Sequence, residues 1–178
     1  MKRIIAILIT LTMALCLFSC DTGSGSNGVE TYTGVLFDEE TTLVVKGDKA
    51  SFSMTMEIKF EEQNTTVIQS ATQTGIIESN EDGVLTVVFN KAGASASASM
   101  QFKGSGAEEY KKTLKAQYES MEDGAYKEFM LTMIDGKTIN MKYGDKYWEE
   151  AGPGSDQVIV VKIDTAKKTF TQMDSGIG

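Results

Sequence analysis

Ala50 to Phe60 alternates without a break. Phe52, Met54, Met56, Ile58 and Phe60 fall on one parity, and Ser51, Ser53, Thr55, Glu57 and Lys59 on the other. Period two over eleven residues defines a strand with one buried face and one wet face. A second run repeats the pattern. Ala94, Ala96, Ala98, Met100 and Phe102 alternate with Ser95, Ser97, Ser99, Gln101 and Lys103. A chain carrying two such strands must build an antiparallel sheet with an apolar side to cover.

The remaining runs fit the same scheme. Thr31 to Phe37, Leu43 to Lys46, Thr65 to Ser79, Val84 to Asn90, Val158 to Ile163 and Lys168 to Met173 are rich in β-branched and aromatic residues. Gly47-Asp48-Lys49 and Asn80-Glu81-Asp82-Gly83 are turn signals between them. Gly75 marks a bend or bulge within the long fourth run. Tyr126 to Ile134 and Lys137 to Tyr143 flank Asp135-Gly136 and read as a hairpin. Lys146 to Glu149 reads as another short strand. One segment breaks the pattern: Ala107, Tyr110, Leu114, Tyr118 and Met121 recur at helical spacing, so a single inserted α-helix is expected over about 107–122, with Ser105 as its N-cap. The expected fold is mainly β, an antiparallel meander of nine or ten strands that curls into a closed or half-open barrel. Closure would remove the free sheet edges.

The N-terminus has a separate character. Lys2 and Arg3 precede an apolar run from Ile4 to Phe18, too short for a membrane-spanning helix and of the length of a signal-peptide core. Leu17-Phe18-Ser19-Cys20 ends it. This resembles the lipobox of bacterial lipoproteins, with Phe18 where the box usually has a smaller residue. The resemblance implies residues 1–19 as a signal peptide and a lipid carried covalently by Cys20. It also implies attachment to a membrane of the bacterial cell envelope, the outer membrane before the inner. Residues 20–28, with the Gly/Ser-rich stretch DTGSGSNG, then form a flexible tether, and 29–178 a single domain. The domain's pattern resembles lipocalin-like domains of bacterial envelope lipoproteins, which implies a barrel with an interior able to take an apolar molecule.

Composition narrows the chemistry. There is no histidine, and the two cysteines are Cys16, within the expected leader, and Cys20. The folded part therefore has no disulfide, no thiolate metal site and no cysteine nucleophile, and it lacks the commonest general base. No catalytic constellation, metal site or cofactor is expected beyond the lipid on Cys20. The formal net charge is −8, and the part beyond Lys2 and Arg3 is more acidic still. That balance speaks against nucleic acid.

Two features point towards binding. Methionine is soft and adaptable, and Met54, Met56, Met100 and Met130 lie with Ala96 and Ala98 on apolar positions. Small alanines leave room for either a neighbouring helix or a ligand, and these six residues are the expected lining of a cavity for an apolar molecule. Tyr143, Tyr147 and Trp148 cluster near an expected barrel mouth and form a candidate binding rim. The function expected is a non-enzymatic, membrane-anchored lipoprotein binding an apolar small molecule or lipid. The alternative is an acidic module that binds or inhibits a protein partner at the envelope.

Overall fold

The computed structural model describes residues 28–151 and 157–173. The expected leader, Cys20, most of the tether, the Gly-Pro loop and the tail lie outside them. Among the described residues nine strands form: β1 (Val29–Leu36), β2 (Glu39–Lys46), β3 (Lys49–Phe60), β4 (Thr65–Glu81), β5 (Val84–Val88), β6 (Ser95–Lys103), β7 (Ile139–Lys142), β8 (Val158–Asp164) and β9 (Thr169–Met173). Three α-helices accompany them: α1 (Ala107–Glu119), α2 (Ala125–Ile134) and α3 (Lys146–Ala151). The fold is mainly β and its centre is a closed barrel, as the alternation predicts.

Strands β3, β2, β1, β9, β8, β5 and β4 are neighbours in that order, and β3 also pairs with β4, which closes a seven-stranded barrel. Among the described residues every pairing is antiparallel except β1 with β9, which run parallel with Gly34 opposite Phe170. A Cβ on Gly34 would lie 2.3 Å from the Phe170 carbonyl oxygen, so glycine is what lets the two strands meet there.

The long strand β4 does two jobs. One edge pairs with β3 along its length, from Phe60↔Thr65 to Lys49↔Ile76. The other edge serves β6 over Thr66 to Thr74 and β5 over Ile76 to Glu81. Gly75 lies at this fork, where a Cβ would come within 2.5 Å of Val87 Cγ1 and 2.8 Å of the Val88 carbonyl oxygen. The register shift falls two residues later, between Ile77 and Ser79. The glycine is therefore required by close approach, and the bulge is separate from it.

Because β5 pairs with β8, everything from β6 to α3 is an insertion between adjacent barrel strands. It extends the sheet by β6 and β7 and lays helices against that extension. The expected helix is α1, ending at Glu119, with Gly106 at its N-cap and no side-chain cap from Ser105. Two expected strands are helices instead. Tyr126 to Ile134 lies in α2, and Lys146 to Glu149 in α3. In α2, Phe129, Met130, Met133 and Ile134 are buried, one apolar stripe at spacings of three and four. Asp135-Gly136 is not a hairpin but the end of that helix. Gly136, at φ 80°, donates its N–H to Met133 and Lys137 donates to Thr132, the paired bonds of a Schellman cap.

The barrel interior is filled by side chains. Tyr32, Leu36, Leu43, Phe52, Leu85, Val87, Phe89 and Val161 are all fully buried. The Phe52 ring sits 6.4 Å from Phe89 and 6.3 Å from Phe170, the latter edge-on.

Candidate functional site

The inner face continues past the barrel. Register puts Met54, Ala71 and Ala98 side by side on β3, β4 and β6. Met56, Gln69 and Met100 form the next row, and Phe52, Gln73 and Ala96 the one on the other side. Ala96 and Ala98 then pair with Met141 and Ile139 of β7. Helix α2 packs over β6 and β7, and α1 over β4 and β6. The alanines thus give room to a helix, one of the two roles small residues here were expected to fill.

Five of the six expected lining residues, Met54, Ala96, Ala98, Met100 and Met130, are buried members of one continuous core, and Met56 packs against it half-buried. Met133 and Met141 join the same layer. Ala96, Ala98, Met100 and Met141 belong to the strands that α2 packs over with its own Met130 and Met133, and Met54, Met56 and Ala71 continue the same sheet face on β3 and β4. The described residues hold a packed layer at this place, deformable in composition.

Two polar side chains stand out within it. Gln69 is 4% exposed and Gln73 is 5% exposed, and the Oε1 atom of each has no hydrogen-bond partner among the described residues. They flank Ala71 on the inner face of β4. A buried amide group without a partner costs about 1–3 kcal/mol, so the pair is an expense that packing alone does not explain. The sequence carried the signal: the alternation Val67, Gln69, Ala71, Gln73 puts two amides on a core face.

The expected rim divides. Tyr143 is exposed and Tyr147 is half-buried, its hydroxyl donating to Glu128 Oε2 at 3.1 Å. Lys146 pairs with the same carboxylate and lies 4.7 Å from the Tyr147 ring centre. These contacts hold the Glu128 carboxyl below its usual range. Trp148 turns inward, 3% exposed, edge-on to Tyr143 at 6.1 Å, with its indole N–H unpartnered. It anchors α3 on the core.

The outer face of the sheet is a field of hydroxyls. One register row runs Thr169–Thr33–Thr42–Ser53–Thr72–Ser97–Asn140 across seven strands without a charge. Ser53 and Thr72 share a hydrogen bond of 2.9 Å, and Ser51 and Thr74 one of 2.8 Å. A shallow groove of about 520 Å³ lies at one end of the row, lined by Thr33, Val35, Thr42, Ser53 and Thr169 among others. A second cleft, of about 570 Å³, lies where the Glu61–Gln63 turn meets α1. There Gly104 and Gly106 are packing devices, since a Cβ on Gly106 would sit 1.8 Å from the Gln63 carbonyl oxygen.

Among the described residues no three His, Cys, Asp or Glu side chains gather as metal ligands, and no helix is long and apolar enough to cross a membrane. The fold defines a class, a closed seven-stranded, lipocalin-like barrel with a helix-covered sheet extension. No known protein family matches the chain, and neither the curated proteins nor the solved structures hold a match.

Proposed function

We propose that this chain is a non-enzymatic lipoprotein of the bacterial cell envelope, anchored through lipid on Cys20, that binds an apolar small molecule or lipid. Binding takes place in the methionine–alanine layer between the sheet extension and α2, since the aromatic side chains of Phe52, Phe89 and Phe170 already occupy the barrel centre. The observation that carries this reading is one sheet face bearing Met54, Met56, Met100 and Met141 with Ala71, Ala96 and Ala98, continuous in the core with Met130 and Met133 of α2. Methionine side chains are unbranched and adaptable and can repack around a guest.

Native mass spectrometry of protein purified without detergent tests it. A co-purifying apolar mass, or uptake of Nile red with enhanced emission, supports the reading, and the absence of both refutes it. The anchor has its own test. Cys20→Ala should abolish labelling by a fatty-acid probe and release the protein from membranes.

A protein-binding role has one specific observation behind it. Val35, Phe37 and Met173 are exposed apolar side chains around one end of the β1–β9 pair. A Phe37→Ser variant that loses a partner captured by the parent domain would favour that role.

A further inference from the structure

The layer holds two unsatisfied acceptors and no cation. Gln69 and Gln73 lie on the same face of β4, four residues and so about 13 Å apart along the strand, with Ala71 between them. Each side chain is more than nine-tenths buried, and each leaves its carbonyl oxygen without a donor. The rows to either side are small or soft: Ala98 and Met54 flank Ala71, Ala96 flanks Gln73, and Met100 flanks Gln69. The buried polar residues of the described chain are Thr41, Thr65, Gln69 and Gln73, with no Lys or Arg among them.

From this we propose, resting on the binding role argued above, that the ligand is a neutral amphiphile with a head bearing two hydroxyls, of the monoacylglycerol class. The hydroxyls donate to Gln69 Oε1 and Gln73 Oε1, and the acyl chain lies among the methionines. A hydroxyl is the fitting donor because it satisfies an amide carbonyl without bringing a charge. An ionised fatty acid fits poorly. Its carboxylate would lose its hydration with no buried cation to replace it.

The test uses Nile red displacement from the folded domain at pH 8, with monooleoylglycerol and oleate as competitors of matched chain length. The expected result is half-displacement by monooleoylglycerol at a concentration about tenfold or more below that for oleate, the scale of one or two charge-neutral hydrogen bonds. In a Gln69→Leu, Gln73→Leu double variant the two competitors should act within about threefold of each other. Single Gln→Met variants, which conserve length, carry the same comparison if the double variant does not fold. Equal displacement of the parent protein by both lipids overturns the head-group assignment and leaves the binding role standing, as does a preference unchanged in the variants. A domain that takes up no Nile red and no lipid overturns both.

Discussion

Phe37 sits where the backbone gives it little reason to be. It and Asp38 form the two-residue turn between β1 and β2, with φ of 53° and 68°. Both central residues of such a turn are left-handed, and Asn and Gly are the residues that adopt this conformation readily. A phenylalanine there costs about 1–2 kcal/mol, and its ring, 53% exposed, recovers little by burial. Phe37→Asn should therefore raise stability by about 1 kcal/mol, read as a higher urea midpoint with an unchanged slope. A lower midpoint would mean that the ring makes contacts worth more than the strain. Tyr32 gives a pH signature. Burial first, then the hydrogen bond its hydroxyl donates to Glu30 and the Glu30 charge, push its hydroxyl up to about 12. An unfolded tyrosine titrates near 10, so between these values the folded state holds the proton more tightly. The stabilisation is complete below about pH 10 and is lost as pH rises through 12. The urea midpoint should fall across that window, and less steeply in Tyr32→Phe. Tyr110 and Tyr118 are also raised by burial, so some slope remains in the variant. An identical slope in both proteins would refute the assignment. Alternation alone puts Tyr32, Gln69 and Gln73 on inward faces. It cannot say whether an inward polar atom finds a partner, because partners come from strands distant in sequence.

At the scale of elements, β3, β4 and β6 were legible because a half-buried antiparallel strand writes its two faces directly into alternate residues. Helix α2 was not, although Tyr126, Phe129, Met130, Met133 and Ile134 have helical spacing. Its aromatic and methionine content suits a strand as well, and the Asp135-Gly136 pair that follows is ambiguous in physical terms. A glycine with positive φ serves a tight hairpin and a Schellman cap equally. What decides is whether the preceding residues can bury a helical stripe, and the Ala96–Ala98 surface of β6 provides the place. Val158 to Ile163 posed no such problem, since a β-branched run broken only by Lys162 has no helical face. The depth of α2 in the core sets a prediction. Met133 is fully buried between α2 and the sheet, so Met133→Ala should cost about 2–5 kcal/mol, measured by chemical denaturation. A loss below 1 kcal/mol would mean that the layer collapses easily around the gap.

At the scale of the molecule, closure was expected from strand number alone, but its manner was not legible. The parallel β1–β9 pair joins residues at opposite ends of the chain, and no local turn reports it. Gly34 permits this approach, but a glycine inside a strand does not say what comes near it. The same holds for the β5–β8 pairing, which makes the region from β6 to α3 an insertion. An insertion of that size invites the idea of a separate lobe that melts on its own. The architecture argues otherwise. Strand β4 belongs to both parts, with Thr66 to Thr74 holding β6 and Ile76 to Glu81 holding β5, while β3 runs alongside the first half and on to Ile76. The buried residues of barrel and extension, Phe52 and Phe170 together with Met133 and Trp148, form one continuous cluster. Losing the extension would strip one edge of β4 and uncover Val67 and Ala71, so the two parts should unfold together. Trp148, the single tryptophan, reports on the extension, and the far-ultraviolet circular dichroism is dominated by the sheet. The two signals should follow one urea transition with the same midpoint and slope. A tryptophan transition at lower urea, with the sheet signal retained, would show that the insertion is an independent unit and that β4 does not couple it to the barrel.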